Sequence, residues 1–183
     1  MDRTLVQEKK PGTLIHRATF EEDIMGSKAD NLAKQFEAKV QEATALIENL
    51  SDADWKKVTT AEKWPVGVVA HHVAMGHEGI SRILKTVASG QPMPHFTLDM
   101  LHQMNAQHAT EHASCTKGET LALHTKNAAA AASVVRGLSD ADLATSGTVL
   151  ADTPATTVEN IVTGILINHI DDHFGSIRKT VGH

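Results

Sequence analysis

Cysteine occurs once in the 183-residue chain, at Cys115, and one thiol excludes both an intramolecular disulfide framework and a cysteine-rich zinc site. Any metal must therefore be held by His, Asp or Glu. Tyrosine is absent, and the aromatic residues are four Phe and two Trp. Only these could offer stacking platforms, and a formal charge of -5 with a pI near 6.2 gives no electrostatic footprint for nucleic acid. Long apolar runs are missing as well. No segment approaches the roughly twenty residues that span a bilayer, and Met1 to Pro11 is charged, with no hydrophobic core of signal-peptide length. The expectation is a cytoplasmic protein with neither a membrane nor a nucleic acid as partner. What is present, 41% hydrophobic and 21% charged residues, suits one soluble domain with a real core.

Residues 1–26 carry no persistent period and stand unassigned as an N-terminal arm; the domain is expected over 27–183. From Lys28 the apolar residues Leu32, Phe36, Val40, Ala43, Ile47 and Leu50 follow helical spacing. Trp64-Pro65 opens a second helix, since proline at a helix start loses no needed hydrogen bond, and Gly90, Pro92 and Pro94 end it. Leu98 to His112 is a shorter helix with Leu101, Met104 and Asn105 inward. Thr116 with Glu119 matches a capping box for a helix through Leu138, and Thr156 with Glu159 matches another for the last helix. Leu-Ser-Asp-Ala-Asp occurs at both Leu50 and Leu138, weak support for two related halves. Four substantial helices, one short extra helix and no convincing strand predict an all-α four-helix bundle, whose sites are built from facing core side chains.

The last helix carries an anomaly. Val158, Val162, Ile165 and Leu166 form a stripe whose continuation lands on His169 and His173, and Phe174, Ile177 and Val181 resume it. Two imidazoles four apart project from one face and can reach one ion, although hydrogen-bonded core histidines fit the same spacing. On the second helix the stripe is Val69, Val73, Gly76, Ile80, Ile83 and Val87, with Val68, His72 and Met75 beside it. His72 thus faces the core. His71 and His77 fall about a hundred degrees to either side and read as flank or surface positions. His108 and His112, among Gln107, Thr110 and Glu111, read as a solvated face. Cys115 precedes an N-cap, where a helix terminus can lower a thiol pKa, but it reads as an incidental thiol. Asp171, Asp172, Asn168 and Glu78 lie near the histidines in sequence, yet neighbours one or two apart on a helix face away from each other, and no catalytic role is assigned to them.

The Trp64 to Ala74 stretch, with His72 eight positions after the tryptophan, and His169-x-x-x-His173 on the last helix together resemble the DinB-like superfamily. They are also similar to the N-terminal domains of mycothiol-dependent maleylpyruvate isomerases. Asn105 to Thr116 and both Leu-Ser-Asp-Ala-Asp segments carry the same likeness, which covers about Lys28 to Val181. The resemblance implies a four-helix bundle of non-sequential packing order, a homodimer and a divalent metal on three histidines, which carry onto His72, His169 and His173. No second domain of the kind found in the full isomerases is read in the sequence.

Three neutral imidazoles would leave a divalent ion, zinc or nickel, with uncompensated charge and an open position. The expected function is a metal-dependent enzyme acting on a small-molecule substrate with a low-molecular-weight thiol as cosubstrate, of S-transferase or isomerase type. A metal-dependent hydrolase is the alternative, and a non-enzymatic, stress-associated metal-binding bundle the third. If the histidines were only core filler, His72, His169 and His173 would not converge.

Overall fold

The structure is a computed structural model that describes residues 27–182. The expected N-terminal arm, residues 1–26, lies outside the described residues. Helix α1 (Lys28–Asn49) starts where Ser27 accepts a hydrogen bond from the Asp30 N–H at 3.1 Å. Its apolar stripe buries Leu32, Phe36, Ala43 and Ile47 as the spacing predicts. The Leu-Ser-Asp-Ala-Asp strings open short capped helices, α2 (Asp52–Lys56) and α6 (Asp140–Ala144). In each the serine caps the third following residue, an aspartate that bonds back to the serine N–H. Helix α3 (Val66–Ala88) begins after Pro65, and α4 (Leu98–Glu111) is the shorter extra helix. Helix α5 (Lys117–Arg136) carries the predicted capping box of Thr116 and Glu119.

The final helix departs from expectation in two ways. Thr156 pairs with Gly147 in a two-residue antiparallel ladder, β1 (Ser146–Gly147) with β2 (Thr156–Thr157), so the cap falls one residue later, on Thr157. Helix α7 (Val158–Ile161) then widens into a π-helical stretch (Val162–Ile167) before α8 (Asn168–Val181) resumes α-helical winding. Across the wide turn the buried positions step by five, from Ile161 and Val162 to Leu166 and Ile167, and continue through Ile170, Phe174 and Ile177. His169 and His173 therefore stand at the edge of the apolar stripe, half-buried, not within it.

The four long helices pack in the order α1, α5, α3, final helix, and back to α1. This is the non-sequential bundle that the resemblance implied. Ala128, Ala131 and Ala132 on α5 are buried and let its neighbours approach closely, and Asn127 donates across to the Ala74 carbonyl at 2.9 Å. At the start of α3 the Trp55 indole lies so close over Gly67 that any Cβ there would collide with it, while its N–H donates to the Cys115 carbonyl at 3.0 Å. That contact ties α2 to both α3 and the turn before α5.

Burial on α3 corrects the sequence reading of its flanks. His71 and His77 are buried at 8% and 0% exposure, whereas Met75 is exposed. The apolar arc of this helix is wider than one stripe because α5, the final helix and α4 each cover part of it. Met104 on α4, expected inward, is also exposed.

Candidate functional site

His72 on α3 and His169 and His173 on α8 come together at the edge of the core. One ring nitrogen from each lies within 4.8 Å of the other two. Helix α8 supplies two of the rings because residues four apart share a face. His169 reaches α3 because position 76 is glycine: a Cβ there would sit 2.6 Å from His169 Cε1. The Trp64 ring stands edge-on to His72, with centroids 5.5 Å apart.

His169 Nε2 and His72 Nε2 are 3.1 Å apart. Two lone pairs cannot face each other at that distance unaccompanied, so a proton on one ring or a cation between them must occupy the gap. His173 is oriented by a different device. Its Nδ1–H donates to Glu62 Oε1 at 2.8 Å, which leaves Nε2 as its free donor atom. The second oxygen of Glu62 accepts from Ser176 Oγ at 2.7 Å.

Glu62 comes from the loop between α2 and α3, whose geometry is built. Thr59 N–H donates to the Trp64 carbonyl at 2.8 Å, Val66 N–H to the Lys57 carbonyl at 2.8 Å, and Lys63 takes the left-handed conformation at φ 63°. Burial raises the Glu62 pKa, but hydrogen bonds from Ser176, Thr59 and His173 outweigh it and hold the carboxyl below its ordinary value. It is ionised at neutral pH. Burial pushes His72 down to about 4, with His173 and His108 adding to the shift against the opposing Glu62 charge. Burial, then His173 and His72, likewise push His169 far down. Both rings are thus neutral donors at physiological pH.

This donor set fits a divalent ion by its chemistry: three imidazole nitrogens on two rigid helices, one of them held in tautomer by a carboxylate. One atom is not yet accounted for. His169 Nδ1 is buried and has no hydrogen-bond partner among the described residues.

Glu62 escaped the sequence reading because it is 111 residues from His173 and no spacing rule joins them. A second group also escaped it. His71, His108 and His112 likewise place three ring nitrogens within 4.8 Å of one another. The four-residue spacing of His108 and His112 was the available signal, and their polar neighbours argued against it. Only the placement of α4 against the start of α3 reveals the third ring. Cys115 does not take up the activated role that a helix terminus offers: burial pushes its thiol pKa up.

Comparison with known proteins adds three findings. A family model, the mycothiol maleylpyruvate isomerase N-terminal domain, matches residues 36–165. Among solved structures, the mycothiol-dependent maleylpyruvate isomerase superposes with a TM-score of 0.67 at 10% identity, over 82% of this chain and 61% of that one. YfiT from Bacillus subtilis, described as a probable metal-dependent hydrolase with an unusual four-helix bundle topology, gives a TM-score of 0.62 at 18% identity, over 97% of this chain and 95% of its own. At such identities the likeness establishes the fold. The chain spans about 61% of the length of the isomerase it matches. No curated protein matches the sequence.

Proposed function

Because the chain belongs to the mycothiol maleylpyruvate isomerase N-terminal domain family, a DinB-like four-helix bundle, we propose that it is a metal-dependent enzyme that activates a low-molecular-weight thiol. His72, His169 and His173 hold the ion, zinc or nickel, through their Nε2 atoms. The observation that carries this reading is the convergence of those three rings, two of them with Nε2 atoms 3.1 Å apart. A divalent ion on three neutral imidazoles keeps its positive charge and an open position, which favours a thiolate ligand or lowers the pKa of bound water. Glu62 keeps His173 in the tautomer that presents Nε2, and the backing of α3 at Gly76 fixes His169 against His72. The reaction class that follows is S-transfer to an electrophile, or cis-trans isomerisation by reversible thiol addition to a small-molecule substrate.

Hydrolysis is the second reading, favoured by the likeness to YfiT over nearly the whole of both chains. It uses the same three histidines. A homodimer and a cytoplasmic setting belong to the proposal as well, the former supported by the exposed Leu98, Met100 and Met104 on α4. No helix among the described residues is long and apolar enough to cross a membrane.

The test is elemental analysis of protein purified without a histidine tag or nickel column. Activity is then followed with mycothiol, bacillithiol and glutathione against model electrophiles, and with ester and amide substrates in parallel. Bound divalent metal together with thiol consumption that stops on chelation is the expected result. Metal with hydrolysis alone would favour the second reading, and failure to bind zinc or nickel would sink both. Glu62→Gln keeps the bulk of the side chain but loses its charge, and is expected to weaken metal binding about 10- to 100-fold, as loss of such outer partners does elsewhere. Competition with a chromophoric chelator measures this; an unchanged affinity would remove Glu62 from the site.

A further inference from the structure

The histidine cluster between α3 and α4 is used by nothing described so far. His108 and His112 stand one turn apart on α4, and His71 faces them from α3. His71 Nδ1 lies 3.4 Å from His108 Nε2, and the ring centroids of His112 are 4.1 Å from His71 and 4.6 Å from His108.

Ordinary packing does not account for the arrangement. No residue of α4 is fully buried, and Leu98, Met100 and Met104 are exposed, so the helix lacks the apolar stripe that normally holds a surface helix down. Its inward face carries imidazoles instead. Three aromatic nitrogens from two helices, with no carboxylate among the described residues hydrogen-bonded to any of them, are a poor hydrogen-bonding set for one another, since each contact needs a donor facing an acceptor. They are a good set for a cation.

We propose that His71, His108 and His112 form a second binding site for a divalent transition-metal ion of the zinc class, which clamps α4 onto α3 beside the first site. The ligand pattern is a four-apart pair on one helix completed by a facing ring, with the remaining position open to water. The His112 ring, stacked on His71 at 27°, must turn about χ2 to converge with the others. That torsion is broad, and His112 is half-buried at the C-cap of α4. The two sites adjoin: His71 and His72 are consecutive, and the His108 ring stands edge-on to His72 with centroids 5.3 Å apart. Occupation of the second site thus holds in place a helix that borders the first. The inference does not rest on the first site binding metal.

The experiment is zinc titration of the chelator-stripped, tag-free full chain, with stoichiometry by elemental analysis after dialysis. Hydrogen exchange of the α4 amides is followed in parallel. The parent is expected to bind two equivalents, with His112→Phe, His108→Phe and His169→Ala each binding one. Zinc should slow exchange in α4 in the parent and in His169→Ala, and not in His112→Phe. One equivalent lost in His112→Phe but kept in His169→Ala would support this site and sink the proposed first one. Stoichiometry that is the same in the parent and both phenylalanine variants overturns the inference, as does a parent that binds no zinc. Should the phenylalanine variants fail to fold, His169→Ala alone decides: no residual zinc and no slowing in α4 would also overturn it.

Discussion

His169→Ala is expected to abolish metal binding at the site of His72, His169 and His173 while the bundle stays folded. The loss should exceed the roughly 10- to 100-fold that removal of an outer partner causes, because a direct donor disappears and only two remain. The remaining pair, His72 and His173, has ring centroids 5.1 Å apart on different helices. Folding should survive because His169 lies at the edge of the stripe, where its Nε2 atom meets the Nε2 atom of His72. Its removal also takes away the buried Nδ1 atom that has no hydrogen-bond partner among the described residues. Elemental analysis with circular dichroism checks both halves of the expectation. A metal content in His169→Ala equal to that of the parent would show that His72, His169 and His173 hold no ion.

Acidification is expected to destabilise the protein well before its carboxylates are protonated. His77 and His124 are both fully buried, with His77 Nε2 3.2 Å from His124 Nδ1 and His124 Nε2 3.5 Å from the Val40 carbonyl. The carbonyl can only accept, so His124 carries its proton on Nε2 and accepts at Nδ1 from His77 Nε2–H. Both rings are neutral in this chain of contacts. Burial, and secondarily His124, pushes His77 to about 3, and burial pushes His124 down against the opposing Val40 carbonyl.

In the unfolded chain these rings titrate near 6.5. Between the folded and unfolded values the unfolded state binds more protons, so stability falls as pH drops below about 6.5. For His77 the loss from pH 7 to pH 5 is about 2 kcal/mol, at 1.36 kcal/mol per pKa unit. Urea unfolding of chelator-stripped protein at the two pH values measures it. His77→Leu/His124→Leu should lose less stability than the parent over the same interval; equal losses would show that the pair does not drive the acid sensitivity.

Periodicity carried the bundle. The stripe on α1, the proline opening of α3 and the Thr116–Glu119 box on α5 are local signals, and the structure keeps them. The final helix was legible only in part. Thr156 and Thr157 are both threonines ahead of the same acidic turn, and the choice between them is made by a ladder with Ser146 and Gly147 that lies ten residues upstream. The convergence of His72, His169 and His173 was anticipated through the family resemblance, since helical spacing alone cannot say which helices adjoin. Glu62 and the His71 cluster were out of reach for the same reason. Each depends on a contact between segments whose proximity is a property of the packing order, and His77 looked peripheral until the width of the covered face on α3 was known.

The π-helical stretch at Val162–Ile167 sets the azimuth of everything beyond it. Relative to α-helical winding it contains one surplus residue, and each residue turns a helix by about 100°. A chain lacking that residue could remain helical from Val158 to Val181, yet α8 would present a different face to α3, and His169 and His173 would be swung away from His72 together. The meeting of the three rings is thus as sensitive to the count of residues upstream as to the identity of the histidines. Two chains with the same histidine spacing can differ in having the site at all.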